Sequence, residues 1–381
     1  MNKTLLKSAL LLGFVWMNVS CSNDNAPVSE EAKTEQVSKN LDYTSANAAS
    51  WGNYMRVVAQ LLANDATTLY DDWTSVYNNG QSYAAFFKSQ DALLSVQQLI
   101  DGCADIANEV GTAKIGDPYS LYVSGDTEKA LYAVESWYSW HSREDYRNNI
   151  YSIRNAYYGS RNGEVSARSL AEAVKAVRPE VDTKVRAAID DAAAAIWAIP
   201  SPFRNHINSA ESKTAMEACG VLNTVLDIDL KAAVEAVSKS VLADIVANYV
   251  DVVVVPTYAD LKAGNQALLA AVEAFRQSPS DSGFKACATA WLAAREPWET
   301  SEAFLFGPVA DKGLDPNMDS WPLDQDGIVQ VLTSGDYASL DWDGDYDEES
   351  DAIASAQSLR GFHTLEFLIF KDGNARTLSA Q

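Results

Sequence analysis

The stretch Gly361-Phe362-His363-Thr364-Leu365-Glu366-Phe367-Leu368-Ile369-Phe370 lies near the end of a 381-residue chain and decides how the rest is read. It sets Gly-x-His-x-x-Glu inside an apolar run. Residues i and i+3 share one face of a helix, so His363 and Glu366 present an imidazole and a carboxylate together. The chain has three histidines, and one of them stands beside a carboxylate in a hydrophobic segment. The plainer reading of the same spacing is a buried histidine satisfied by a local carboxylate.

Outward from this motif the chain reads as helical. Apolar residues recur at helical intervals from Ala48 to Tyr77, including Trp51, Tyr54, Val58, Leu62, Leu69 and Trp73. The same pattern covers Ser82 to Ile106 and an aromatic-rich stretch from Thr127 to Tyr158. Further helices are predicted over 166–177, 181–199, 214–248, 250–275 and 282–296, with Pro179, Pro200 and Pro297 as stops. Gly307 to about Tyr346 is rich in loop residues, and the last helix should begin near Glu348 and carry the motif. Strand signals are sparse, so the fold class is all-α, built of antiparallel bundles. A join near 235–245 divides the chain into units 41–236 and 237–381. There is no glycine-rich phosphate loop, dinucleotide fingerprint or Gly-x-Ser-x-Gly elbow.

Apolar residues make up 47% and charged residues 21% of the chain, which supports packed cores rather than disorder. The net charge of −23 repels nucleic acid and favours cations or basic partners; an acidic surface also serves solubility. At the N-terminus, Lys3 and Lys7 precede a short apolar stretch from Leu10 to Met17, and residues 1–20 read as a signal peptide. Asn18-Val19-Ser20-Cys21 resembles a bacterial lipobox, which makes Cys21 the expected site of lipidation. Ser22-Asn23-Asp24-Asn25 resembles the export tags of surface lipoproteins in Bacteroidetes, and residues 22 to about 40 read as a flexible tether. No later stretch looks long and apolar enough to span a membrane. Cys103, Cys219 and Cys287 are widely spaced and offer neither a disulfide framework nor a metal knuckle.

The chemistry candidates narrow quickly. A zincin needs His-Glu-x-x-His and its inverted form His-x-x-Glu-His; here Phe367 occupies the place of the second histidine. His141 and His206 are distant in sequence, so zinc is disfavoured and a peptidase rests on His-x-x-Glu alone. A ferritin-like di-iron centre needs Glu-x-x-His twice, and the order here is reversed and single. A mononuclear site of His363, Glu366 and carboxylates from a facing helix remains, and such donors suit iron. The acidic run from Asp341 to Asp347 resembles a calcium loop but has Tyr346 and Ala352 where glycine and glutamate are required. Along Trp137 to Tyr158, Ser136, Ser139, Asp145, Asn149 and Asn155 interleave with aromatics, a mixture suited to a cleft as well as to a core.

Together these segments resemble the imelysin-like proteins. The 361–370 stretch resembles the family's signature. Ala290 to Trp298 with Ser301 to Pro308 resembles a second block, and Asp315-Pro316 with Trp321-Pro322-Leu323 the loop after it. Trp137 to Gly159 is a looser match. The resemblance implies two four-helix bundles with the signature at their interface. The order of the blocks is that of a circularly permuted member. The resemblance further implies a cell-envelope protein that binds iron or an iron-containing ligand and works with iron-uptake transporter components; with the lipobox, the expected location is a lipid anchor in the outer membrane, on its periplasmic or its surface side. A metallopeptidase, or a non-catalytic interaction protein whose motif is structural, is the alternative. On this reading His363 and Glu366 are metal ligands, and Gly361, Arg295, Glu302, Trp321, Ser139, Asp145 and Asn149 surround the ligand.

Overall fold

The computed structural model describes residues 41–378, so the signal segment, Cys21 and the tether lie outside the described residues. Eight helices carry the architecture: α1 (Ala48–Thr74), α2 (Ala92–Glu109), α3 (Ser142–Tyr158), α4 (Pro179–Ala198), α5 (Ala210–Thr224), α6 (Val255–Gln277), α7 (Asp281–Glu299) and α8 (Gly361–Ile369). The two described strands, Phe370–Lys371 and Asn374–Ala375, form one small antiparallel hairpin. The fold is all-α, as the periodicity predicts.

Helices α2, α3, α4 and α5 pack together as one bundle, and α1, α6, α7 and α8 as another. Helix α1 lies well before residue 237, yet its neighbours are α6 and α8. The packing therefore does not divide at the expected 236/237 join, because the apolar stripe of α1 (Trp51, Tyr54, Val58, Leu62, Leu69, Trp73) is buried in the motif's own bundle. Each large apolar side chain fully buried in this way contributes about 1.5–3 kcal/mol. A Cβ at Gly264 would come within 2.9 Å of the Ala294 Cα, so glycine there lets α6 and α7 approach closely.

Side-chain caps fix several helix starts. Asp91 accepts from Leu93 N at α2, Ser209 from Ser212 N at α5, and Ser280 from Gly283 N at α7. Pro179 opens α4 at the first turn, where its missing N–H costs nothing.

Several predicted helices are interrupted, and the interruptions build the site. The stretch 127–158 is a short helix, Thr127–Tyr132, then a turn segment, then α3. Ser136 and Trp140 in the turn have positive φ (54° and 61°), a local conformation that helical periodicity does not register. The segment 82–106 is likewise broken, into Tyr83–Ser89 and α2. Helix α7 runs through Pro297 to Glu299, placing Arg295 and Glu299 one turn apart on a buried face. The section 307–346 is not structureless: it holds Pro308–Asp311, Leu314–Asp319 and Gln325–Ser334. The final helix is two, Asp351–Gln357 and α8, separated by Ser358-Leu359-Arg360. Among the described residues, one continuous helical stretch, Lys239–Gln277, would by length and composition suffice to cross a membrane, contrary to the expectation above. Half of its apolar window is buried in the protein, and α6, its larger part, packs on α1 and α7, so it serves as a core helix.

Candidate functional site

Helix α8 is buried along its whole length and holds the motif rigidly. Gly361 starts it at φ +88°, and a Cβ there would meet the Met318 carbonyl oxygen at 2.5 Å. Glycine is therefore required for the chain to pass the 314–319 helix and enter α8. His363 and Glu366 are both fully buried and in contact, His363 Nδ1 to Glu366 Oε2 2.9 Å. The other oxygen of Glu366 accepts Tyr138 N (3.0 Å), Ser139 N (2.8 Å) and the Ser139 hydroxyl (2.7 Å). Both carboxylate oxygens are thus occupied. Glu366 orients the imidazole and anchors the turn before α3, and the motif does not aim two ligand atoms at one point.

The other ring nitrogen of His363 is Nε2. It lies 3.0 Å from Asp319 Oδ1, 3.5 Å from Glu135 Oε1 and 3.4 Å from Arg295 Nη2. Glu135, Asp319 and His363 offer donor atoms close enough together to hold a metal ion. Arg295 stands among them: its guanidinium bonds Glu135 Oε1 at 2.5 Å and also Asp319 and Glu299, with Asp145 Oδ2 at 3.8 Å from Nε. A cation at His363 Nε2 would have to displace a guanidinium held by four carboxylates, so the imidazole is a network member rather than an open ligand.

The remaining predicted residues converge on this network from both bundles. Asp145 pairs with His141 Nδ1 at 2.8 Å and accepts from the Ser136 hydroxyl. Asn149 donates to Glu299. The edge of the Trp321 ring meets the His363 ring with centroids 4.9 Å apart, and its Nε1 donates to Ala133 O at 3.1 Å. Glu302, 7% exposed, lies 3.5 Å from Lys114 Nζ. Sequence reasoning missed Lys114, Glu135, Glu299, Asp319 and Asp315. Glu135 stands two residues before Trp137, and Asp319 lies between the matched Asp315-Pro316 and Trp321-Pro322. Lys114 had no sequence signal, since it ends a π-helical turn, Val110–Lys114, that prolongs α2.

Beside the network opens a cavity of about 410 Å³. Six carboxyl groups (Glu109, Asp117, Glu135, Glu302, Asp315 and Asp319) and one ammonium, Lys114, line it together with Ala113, Ala133, Pro316, Ser320, Trp321 and Pro322. Glu109 and Asp117 are exposed, and Glu135, Glu302 and Lys114 are buried. Electrostatics sort these groups into two sets. Burial pushes Asp319 up, but Arg295 and His363 outweigh it and hold the carboxyl well below its ordinary range. Glu135 is lowered too, with Lys114, His363 and Arg295 overcoming its burial. Burial raises Glu299 to about 8 and Asp315 to about 7, and it lifts Glu302 well above the usual carboxylate range against the pull of Lys114. Burial pulls the Lys114 ammonium down, but Glu135 and Glu302 outweigh this and keep it charged. Arg295 and Lys114 hold the first set charged; in the second, burial favours the protonated form although Glu302 still faces Lys114 and Glu299 still faces Arg295.

Comparison with known proteins agrees with this architecture. The family described as imelysin, peptidase M75, matches residues 29–228 and 254–381. An imelysin peptidase of known structure from Bacteroides ovatus is 55% identical, with a TM-score of 0.88, covering 90% of this chain and 100% of that one. A curated relative, iron-regulated protein A of Synechococcus elongatus, is 34% identical over 122 residues. That match covers 32% of this chain and spans only 30% of the relative's length.

Proposed function

The chain belongs to the imelysin family, and from that premise we propose that it captures a cation in the cell envelope during iron uptake, holding it in the acidic cavity beside His363. The observation that carries this reading is the carboxyl surplus of the cavity: six carboxyl groups and one ammonium line it, and Arg295 behind the lining pairs with two of the six, Glu135 and Asp319. Buried carboxylates with too few counter-ions are costly, and burial raises Glu302 and Asp315 toward the protonated form. An arriving multivalent cation supplies the missing positive charge and displaces whatever protons they hold. Glu302 and Asp315, which Arg295 does not pair with, are the groups left to receive it, with Glu135 and Asp319 also in the lining and Trp321 forming a wall.

The donors are hard oxygens with no thiolate, which suits iron or manganese better than soft metals, and zinc least of the expected ions. Six water molecules occupy about 180 Å³, so a cavity of about 410 Å³ takes an ion with its inner waters. A haem or a polyanionic chelate would set its own negative groups against the lining. Iron in particular is suggested by the name of the Synechococcus relative. The lipid anchor at Cys21, attachment to the outer membrane and a transporter partner belong to the same proposal and rest on the lipobox and the family. The net charge of −23 repels nucleic acid and disfavours it as a partner. A peptidase reading gains no support from the geometry, because the Nε2 of His363 is engaged by Asp319 at 3.0 Å and crowded by Arg295 at 3.4 Å rather than left at an open coordination position.

Metal analysis of protein purified from iron-replete cells, with calorimetric titration of Fe²⁺ under anaerobic conditions, tests this. Wild type is expected to retain iron and to bind Fe²⁺. Glu302→Gln combined with Asp315→Asn should weaken binding at least about tenfold, or about 1.4 kcal/mol, without lowering the melting temperature. A wild-type protein that carries no metal and gives no binding heat overturns the reading.

A further inference from the structure

Two permanent cations serve the site, and they are held very differently. Arg295 is fully buried and locked by Glu135, Asp145, Glu299 and Asp319. Lys114 reaches the cavity on a flexible stem and has two looser partners, Glu135 Oε2 at 3.1 Å and Glu302 Oε1 at 3.5 Å. Its backbone is fixed by packing. A Cβ at Gly111 would come within 2.9 Å of the Cys219 Cβ on α5, and one at Gly116 within 2.8 Å of Gly111 O. The π-helical turn therefore stays in place while the side chain has cavity beside it. Single π-helical turns in α-helices are frequent at functional sites.

We propose that Lys114 is a resident counter-ion that the arriving cation must displace, and that it makes the site select multivalent over monovalent cations. This rests on the cation-binding reading above. A free sodium or potassium ion carries the same charge as the tethered ammonium and must also give up its translational freedom, so it gains nothing by taking Glu135 and Glu302 from Lys114. A divalent ion doubles the Coulomb attraction to each carboxylate and can take both. The lysine then swings toward the exposed Glu109 and Asp117, which line the same cavity.

Titration with MnCl₂, an air-stable hard divalent probe, tests the assignment in wild type and in Lys114→Met. The Met variant is expected to bind Mn²⁺ at least about tenfold more tightly. Its binding should also weaken in about 0.1 M KCl more than the wild type's does, beyond the general screening at that ionic strength. Unchanged or weaker Mn²⁺ binding by a Met variant that melts like wild type overturns the proposal and leaves the cation reading standing. If neither protein binds Mn²⁺, both proposals fall. Should the Met variant not fold, chemical labelling of the wild type decides. Mn²⁺ should raise acylation of the buried Lys114 amine as the ammonium leaves Glu135 and Glu302, and unchanged labelling of Lys114 despite binding overturns the proposal.

Discussion

At the scale of single residues, Glu366 does most to join the two bundles at the site. It accepts Tyr138 N, Ser139 N and the Ser139 hydroxyl on one oxygen and His363 on the other. Removing it strands buried donors and an imidazole among charges. Glu366→Ala is expected to cost about 3–5 kcal/mol in urea unfolding, whereas Ser139→Ala loses one hydroxyl bond and about 1 kcal/mol. Equal, small losses for the two would show that the carboxylate is not the anchor. His141 makes a different prediction. Burial lowers it, but the buried Asp145 outweighs this and raises it from 6.5 to about 9. Folding favours the protonated form, so its contribution is complete below pH 6.5 and is lost as pH rises through about 9. The full effect is at most about 3 kcal/mol. Wild type should lose stability between pH 6.5 and 9, and His141→Asn should lack that part of the slope.

At the scale of elements, α8 is stabilised from outside as much as by its own bonds. Trp291 Nε1 donates to Phe362 O at 2.9 Å, Trp51 Nε1 to Leu368 O at 2.9 Å and Arg376 Nε to Phe367 O at 3.0 Å. These donors come from α7, α1 and the segment after the C-terminal hairpin, so the motif helix is clamped on three sides. Trp291→Phe keeps most of the ring but deletes its bond to the residue preceding His363. A loss of about 1–3 kcal/mol and faster amide exchange along α8 are expected; unchanged exchange would mean that α8 does not need the clamp. The turn from Ala133 to His141 is the second decisive element. Aromatic and apolar spacing in this stretch favours a helix, but its role is to turn the Tyr138 and Ser139 N–H groups onto Glu366, and that requires positive φ at Ser136 and Trp140.

At the scale of the whole molecule, the site exists only where the two bundles meet. Glu135, His141, Asp145 and Asn149 come from the 133–158 segment, and Arg295, Glu299, Glu302, Asp319 and His363 from the other side of the chain. A cation bound there stabilises both bundles by mass action. At a free concentration one hundred times Kd the gain is about 2.7 kcal/mol, and it should appear as a rise in melting temperature. The paired substitution Glu302→Gln and Asp315→Asn, at a tenfold loss of affinity, should cut that gain to about 1.4 kcal/mol or less and leave the cation-free melting point in place. We also propose that the order of the family blocks reflects a circular permutation. Such a rearrangement needs ends that lie close together, and Asp42 and Arg376, near the two ends of the described chain, are bonded at 2.8 Å.

The sequence alone determined the helical class, because a 3.6-residue apolar period is written locally into each segment. It also determined that His363 and Glu366 share a face and, through the family blocks, that Arg295, Glu302, Trp321, Ser139, Asp145 and Asn149 belong near them. It could not assign roles. Glu366 reads as a ligand until the folded chain turns both its oxygens onto protein donors, and Lys114 and Asp315 carry no local sign of facing a cavity. Which bundle α1 joins, where the long helices break and which carboxyl groups are pushed above or below their ordinary range depend on contacts between residues hundreds of positions apart. Only the tertiary structure decided these, because burial and Coulomb interactions act through space and not along the chain.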